Sequence, residues 1–265
     1  MPVNRWNILI HEALPGPLNM AVDEILLRRE HPLPVLRLYQ WDRATLSLGM
    51  SQELSRHVLP DPIRTLGIPV IRRLTGGKAV LHDRELTYSV TGPMTCRPFS
   101  GDLLASYRDI AEAFCDAFHS LGIPAEMAPG NTRAVKGAVT SCFANPSSFE
   151  IVVNGRKLLG SAQKRTRNRV LQHGSLLIRY HGDDWTRIMR RHDPGEAGRV
   201  TDLETLLGET FSLESVINAL LSGFRRRFEV DLIPTTLSDT EMKAAEELAR
   251  SRYRDLTGQL DSACR

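Results

Sequence analysis

The dipeptide Asn154-Gly155 stands between two runs of strand-forming residues, 149–153 and 156–163. A two-residue type I′ turn needs positive φ at both central positions, which Asn and Gly tolerate. The pair predicts a β-hairpin, and a hairpin imposes antiparallel pairing, so a purely alternating parallel βαβ array is excluded. Alternating or apolar runs predict further strands at 4–10, 35–41, 86–90, 170–171 and 175–178, with 45–48 as the hairpin partner of 35–41. Apolar residues spaced three and four apart predict helices over 17–29 and, most clearly, 103–121. Helices over 201–207, 213–228 and 238–252 fill the end, the last opened by a capping box of Ser238 and Glu241. Residues 130–145 lack periodicity and read as a long loop. The expected fold class is α+β, with mixed, largely antiparallel sheets flanked by helices. No Pro/Gly-rich linker divides the chain, so residues 1–265 are expected to form one domain, completed by helices from about residue 200.

Composition narrows the class further. Hydrophobic residues make up 42% and charged residues 25%, the balance of a soluble globular protein rather than a disordered chain or a coiled coil. The formal charge of +3 is too small to argue for nucleic acid. No stretch reaches the ~18–20 apolar residues that span a bilayer, and the N-terminus carries no signal-peptide pattern. The four cysteines, Cys96, Cys115, Cys142 and Cys264, never stand at CxxC spacing, and no HExxH occurs. A zinc cluster, a redox dithiol and a disulfide framework therefore have no support, and the expected setting is a reducing cytoplasm without a metal or cofactor.

Three segments carry candidate chemistry. The first runs from Arg72 and Arg73 through Gly76, Gly77 and Lys78 to His82 and Asp83. Glycines allow close backbone approach and the cations favour an anionic guest. The segment is not a P-loop, because Ala79 follows Gly77-Lys78. An ordinary Gly-Gly turn with a solvated basic rim stays equally open. The second is Lys157, which strand alternation puts on the face of Leu159 and Ser161. It reads as a partly buried acid, base or electrostatic anchor, or as a surface lysine after a turn. The third is Cys142, in the irregular segment where reactive groups are often presented; it reads as a nucleophile or as a small loop residue. Cys115, on an apolar helix face, reads as an inert core thiol. His173 lies near these segments. The basic runs 164–169 and 225–227 read as solvated surface or as docking sites for an acidic protein.

Taken together, six segments resemble the lipoate–protein ligase A / octanoyltransferase family, related in fold to biotin–protein ligases. They are Asn19-Met20-Ala21-Val22-Asp23-Glu24, Trp41 through Gly49, Arg72 through Asp83, Leu86-Thr87-Tyr88-Ser89, Gly155 through Gln163, and Gln172-His173-Gly174-Ser175. They follow the family order over roughly two-thirds of the chain. The segment from Ser141-Cys142-Phe143 to Val153 resembles the cysteine-bearing loop of LipM-type octanoyltransferases. The resemblance implies that Cys142 takes an octanoyl group from acyl carrier protein as a thioester. The acyl group then passes to a lysine of a lipoyl domain or of glycine cleavage protein H. Lys157 matches the lysine that contacts the acyl carbonyl, while Arg72, Gly76, Gly77, His82, Ser161, Ala162 and His173 are implied to shape the substrate pocket. The implied enzyme needs no cofactor, nucleic acid or membrane, and a monomer is expected. Alternatives within the resemblance are an ATP-dependent lipoate–protein ligase, an amidotransferase moving octanoyl between lipoyl domains, and a non-catalytic partner subunit. One departure stands in the Thr75-Gly76-Gly77-Lys78-Ala79 loop: Lys78 fits the transferases and Ala79 fits the ligases.

Overall fold

A computed structural model describes residues 4–128, 149–191 and 195–260. The chain opens with β1 (Asn4–Ile10), α1 (Gly16–Arg28), β2 (Val35–Tyr39) and β3 (Thr45–Leu48). Two short helices, α2 (Leu54–His57) and α3 (Pro60–Thr65), precede β4 (Val70–Arg72), β5 (Val80–His82) and β6 (Glu85–Pro93). Then come α4 (Leu103–Ser120), β7 (Ala125–Met127), β8 (Ile151–Val153), β9 (Arg156–Arg165) and β10 (Arg169–Leu177). The remainder is α5 (Gly182–Ile188), α6 (Leu203–Leu207), α7 (Leu213–Phe228), β11 (Val230–Pro234) and α8 (Asp239–Ser251).

Eight strands form one sheet in the order β11-β1-β2-β6-β10-β9-β8-β7, and β4-β3-β5 form a second. Within the large sheet β1 runs parallel to β2 and β11, and the other neighbours are antiparallel. The α+β class with mostly antiparallel pairing is therefore correct. The Asn154-Gly155 turn is present, with φ of 51° and 73°, and the Ser238–Glu241 capping box closes the start of α8.

Two expectations are corrected. The strand 45–48 does not pair with 35–41, because both edges of β2 are already taken by β1 and β6. Instead β3 nucleates the small sheet, parallel to β4 and antiparallel to β5. The C-terminal part is not wholly helical either. Val230 and Leu232 point inward on β11, which extends the large sheet beside β1. A five-residue strand ending in Pro234 gives too short an alternation to stand out beside α7.

One face of the large sheet packs on α4 and α7. Tyr88 and Phe114 lie 4.5 Å apart by ring centroid, Phe114 meets Phe224 edge-on at 5.4 Å, and Trp6 stacks on Phe228 at 4.6 Å. α1 and α8 cover a second cluster that includes Met20, Leu26, Tyr39 and Tyr253. Asp102 caps α4, its carboxylate accepting from Ala105 N at 2.7 Å. α4 and α7 meet at Gly223, where an added Cβ would sit 2.3 Å from the Ala113 carbonyl oxygen. Backbone faces backbone there, so no side chain can yield. Gly223→Val is expected to cost about 1–3 kcal/mol by forced separation of the helices, read as a lower denaturant midpoint at unchanged slope.

Candidate active site

Lys157 is placed by an irregularity in β9. Ile151 pairs with Leu159, but Val152 pairs with Lys157, so β9 carries one extra residue, Leu158, against β8. Such a bulge reverses the alternation beyond it and re-aims a side chain. Lys157 therefore shares the face of Gly160 and Ala162, not that of Leu159 and Ser161 as simple alternation predicts. Leu158 and Leu159 both enter the core. The lysine is fully buried, and its Nζ donates to Glu150 Oε1 at 2.6 Å. It passes over Gly160, where a Cβ would lie 2.7 Å from Cε and 2.8 Å from Nζ. The absent side chain at Gly160 is what leaves room for the ammonium.

The same sheet face forms the floor of a narrow cavity. Across the strands, Tyr39, Thr87, Ser175 and Gly160 stand in register. Two residues further along each strand, Arg37, Ser89, His173 and Ala162 form a second row on the same face. All four members of the first row line the cavity, as do His173 and Ala162 of the second. Met20 of α1, Arg73, Val80 and His82 close it from above, and Lys157 with Glu150 stands at the β9 end.

Both histidines are held by carboxylates. His82 Nδ1 meets Glu85 Oε1 at 2.8 Å, and His173 Nδ1 meets Asp23 Oδ2 at 3.4 Å. Their Nε2 atoms meet Ser47 Oγ and Thr75 Oγ1, each at 2.7 Å. Those two hydroxyls also accept from Arg73, through Nη1 and Nε at 3.1 Å. Arginine only donates, so each hydroxyl accepts from it and shares its own hydrogen or its second lone pair with the imidazole. Burial pushes His173 below the ordinary imidazole range, against the pull of Asp23. Burial raises Asp23, but Arg37 and His173 more than offset it and the carboxyl ends below its usual range. His82 also stacks on Trp41, centroids 3.9 Å apart.

The two arginines of the Gly-rich segment face protein oxygens. Arg73 Nη1 donates to Ser47 O at 3.1 Å, and Nη2 donates to Gly76 O at 2.8 Å and Lys78 O at 2.6 Å. Arg72 Nη1 donates to Gly49 O, Met50 O and Gln52 O at 3.0, 3.2 and 2.6 Å. The guanidinium groups brace the loop rather than point at an open anion site. Of the sequence-predicted pocket residues, the structure brings Lys157, His82, Ser161, Ala162 and His173 to the cavity. Arg72, Gly76 and Gly77 are not on its wall, and Arg73 takes the place expected for Arg72. Cys142, Cys264 and the whole stretch read as the 130–145 loop lie outside the described residues. Burial pushes the Cys115 thiol up to about 11, in keeping with an inert core residue. Within the basic runs, Arg165 holds Asp102 O and Ser106 Oγ, and Arg227 pairs with Asp109.

Sequence reasoning passed over Asp23, Ser47, Thr75, Glu85 and Glu150 as site residues. Asp23 did carry a signal, a carboxylate amid the apolar residues of α1. Among the described residues no group of three or more His, Cys, Asp or Glu side chains stands close enough to hold a metal ion.

Residues 15–225 match the family described as the lipoyl protein ligase A/B catalytic domain. The chain belongs to that family. Octanoyltransferase LipM of Carboxydothermus hydrogenoformans is 37% identical, over 95% of this chain and 97% of its own length. Octanoyltransferase LipM of Brevibacillus brevis is 34% identical with the same coverage. Among solved structures, a protein described as a lipoate protein ligase of T. acidophilum, with lipoic acid bound, superposes with a TM-score of 0.81. Its identity is 24%, over 97% of this chain and 99% of its own, which shows the fold. Lipoate-protein ligase A bound with ATP superposes at 0.78 with 26% identity, over 93% of this chain and 95% of its own. The resemblance to the lipoate–protein ligase A / octanoyltransferase family read from the six segments is thus correct.

A pH dependence follows from the buried imidazole. His173 is neutral in the fold but takes up a proton in the unfolded chain below about pH 6.5. The unfolded state then binds more protons, so stability falls as pH drops from about 7 to 5. His173 contributes at most about 1.4 kcal/mol per pH unit to that slope. Denaturation series across this range are expected to show a flatter slope for His173→Gln than for the wild type.

Proposed function

We propose that the chain is an octanoyl-[acyl carrier protein]:protein N-octanoyltransferase of lipoate biosynthesis, acting through Cys142. The observation that carries this reading is the match, along nearly the whole length, to relatives named octanoyltransferase. The cavity supports it. Its walls are formed largely by apolar groups of Met20, Tyr39, Val80 and Ala162, with an ammonium at one end. Such a slot suits a linear acyl chain, whose methylenes each contribute about 0.8 kcal/mol when buried. The ammonium suits the carbonyl at the chain's head.

Two transfers make up the reaction. The Cys142 thiolate attacks the octanoyl thioester of the carrier protein, and the carrier's thiolate leaves and takes a proton. The ε-amine of a lysine on a lipoyl domain or glycine cleavage protein H then attacks the acyl-enzyme. The new amide forms as Cys142 leaves as thiolate and the amine gives up a proton. Thioester exchange nearly balances in energy and amide formation is downhill, so no nucleotide is needed. Lys157 stabilises the oxyanion of each tetrahedral intermediate and, as a cation, favours the Cys142 thiolate. Arg72, Gly76 and Gly77 act by shaping the loop above the slot, while His82, His173, Ser161 and Ala162 line it. We further propose a single-domain monomer working in the cytoplasm. Among the described residues no helix is long and apolar enough to cross a membrane.

The likeness to lipoate-protein ligase A bound with ATP favours one second reading, ATP-dependent lipoate ligation. Lipoate-dependent release of pyrophosphate from ATP would identify it. For the transferase, mass spectrometry after incubation with octanoyl carrier protein is expected to show one octanoyl adduct on Cys142. Cys142→Ser is expected to lose the adduct and transfer to a lipoyl domain; full retention of both would overturn the mechanism. Gly160→Ala is expected to push Lys157 from its place and cut transfer by about 10²-fold or more. Its melting temperature is expected to fall by several degrees as well, because displacing Lys157 leaves the buried Glu150 carboxylate without its ammonium.

A further inference from the structure

A fully buried lysine needs a reason to stay charged. Burial in an apolar wall disfavours an ammonium, and an opposite charge in contact favours it. The contact here is Glu150, itself buried, with Oε1 2.6 Å from Lys157 Nζ. The pair belongs to the cavity wall, since both residues line it.

Independent features fix each partner. Glu150 follows Phe149, whose φ of 66° lies in the left-handed region that bulky residues rarely adopt. Such conformations persist where the surroundings over-determine them, and they cluster at functional sites. Glu150 O accepts from Ala128 N at 2.7 Å, and the Phe149 ring lies 5.6 Å from the Arg108 guanidinium. On the other side, Lys157 O accepts from Thr201 N at 2.9 Å. The bulge at Leu158 turns the lysine toward Gly160, where the missing side chain leaves room for the ammonium.

We infer that Glu150 is a positioning residue for the acyl transfer: its carboxylate keeps Lys157 protonated and aimed along the cavity until the acyl carbonyl arrives. This rests on the transferase reading above, in which Lys157 faces the carbonyl. Among the described residues that line the cavity, Glu150 is the one carboxylate. Arg73, His82 and His173 line the same cavity, but Arg73 is a like charge, and His82 and His173 each meet a carboxylate of their own, Glu85 and Asp23. The segment Ala197–Arg199 packs on β9, and there Glu196 and Arg199 act on Tyr180.

The experiment compares pH–rate profiles for octanoyl transfer by wild type, Glu150→Gln and Glu150→Asp. Glu150→Gln retains the side chain's shape without the charge. Its alkaline limb is expected to move at least about one pH unit toward neutrality, because a buried amine without a counter-charge sheds its proton earlier. Glu150→Asp is expected to return the limb to the wild-type position at a reduced rate. An unmoved limb in Glu150→Gln, with only a uniform loss of rate, would overturn the inference. A second measurement needs no variant. In wild-type protein carrying ¹³C at lysine Cε, the Lys157 resonance is expected to report an ammonium at pH 7.5, and a neutral amine there would overturn the inference. If wild-type protein transfers no octanoyl group at all, the transferase reading fails instead, whatever charge the lysine carries.

Discussion

The arrangement depends first on one buried carboxylate. Asp23 projects from α1 onto the sheet and meets groups of three different strands. Arg37 of β2 donates to Oδ1 at 2.8 Å, Tyr39 to Oδ2 at 3.0 Å, and Ser89 of β6 to Oδ1 at 2.8 Å. His173 of β10 completes the set. Burying a carboxylate and a guanidinium together costs several kcal/mol per ion unless the remaining hydrogen-bonding positions are filled. Here Arg37 also donates to Asn19 O and Oδ1 and to His11 Nδ1. The helix can therefore lie in few positions over the sheet. That placement puts Met20 at the cavity and Glu24 one residue from Asp23. Glu24 in turn accepts from Arg252 at 3.1 Å and from Tyr253, so the C-terminal segment is secured by the same helix.

Arg73 extends this network to the small sheet. It joins Ser47 of β3, Thr75 and the Gly76–Lys78 turn, and through the two hydroxyls it meets both carboxylate–histidine pairs. A cation directed at carbonyls and hydroxyls lends rigidity without placing its charge at the disposal of a ligand. The cavity consequently has a lysine–carboxylate pair at one end, Lys157 with Glu150, and a middle bounded by imidazoles and apolar groups. This division suits a molecule with a polar head and a hydrocarbon tail.

Much of this was legible before any coordinates. The turn at Asn154-Gly155, the helix around Phe114 and the cap at Ser238 depend on chemistry within a few consecutive residues. A buried Lys157 was one of two open readings beside a surface lysine, and its face was misread. Alternation places it with Ser161, whereas the unequal pairing of β8 and β9 turns it toward Gly160. His82, Ser161, Ala162 and His173, named through the family resemblance, all line the cavity, whereas Arg72 was named where Arg73 stands on the wall. Neighbouring arginines on β4 and the loop behind it point to different oxygens, and nothing in their order says which one enters the cavity.

By itself the sequence determined the α+β class, most of the element boundaries and the family, because turn chemistry, helical periodicity and ordered motifs are local properties. Only the tertiary structure decided where β3 pairs, that β11 joins the sheet, and which way Lys157 faces. Those outcomes depend on edges and partners contributed by residues far apart in the chain. A strand's preference for a neighbour is written in the register of both, and a bulge exists only relative to the strand beside it.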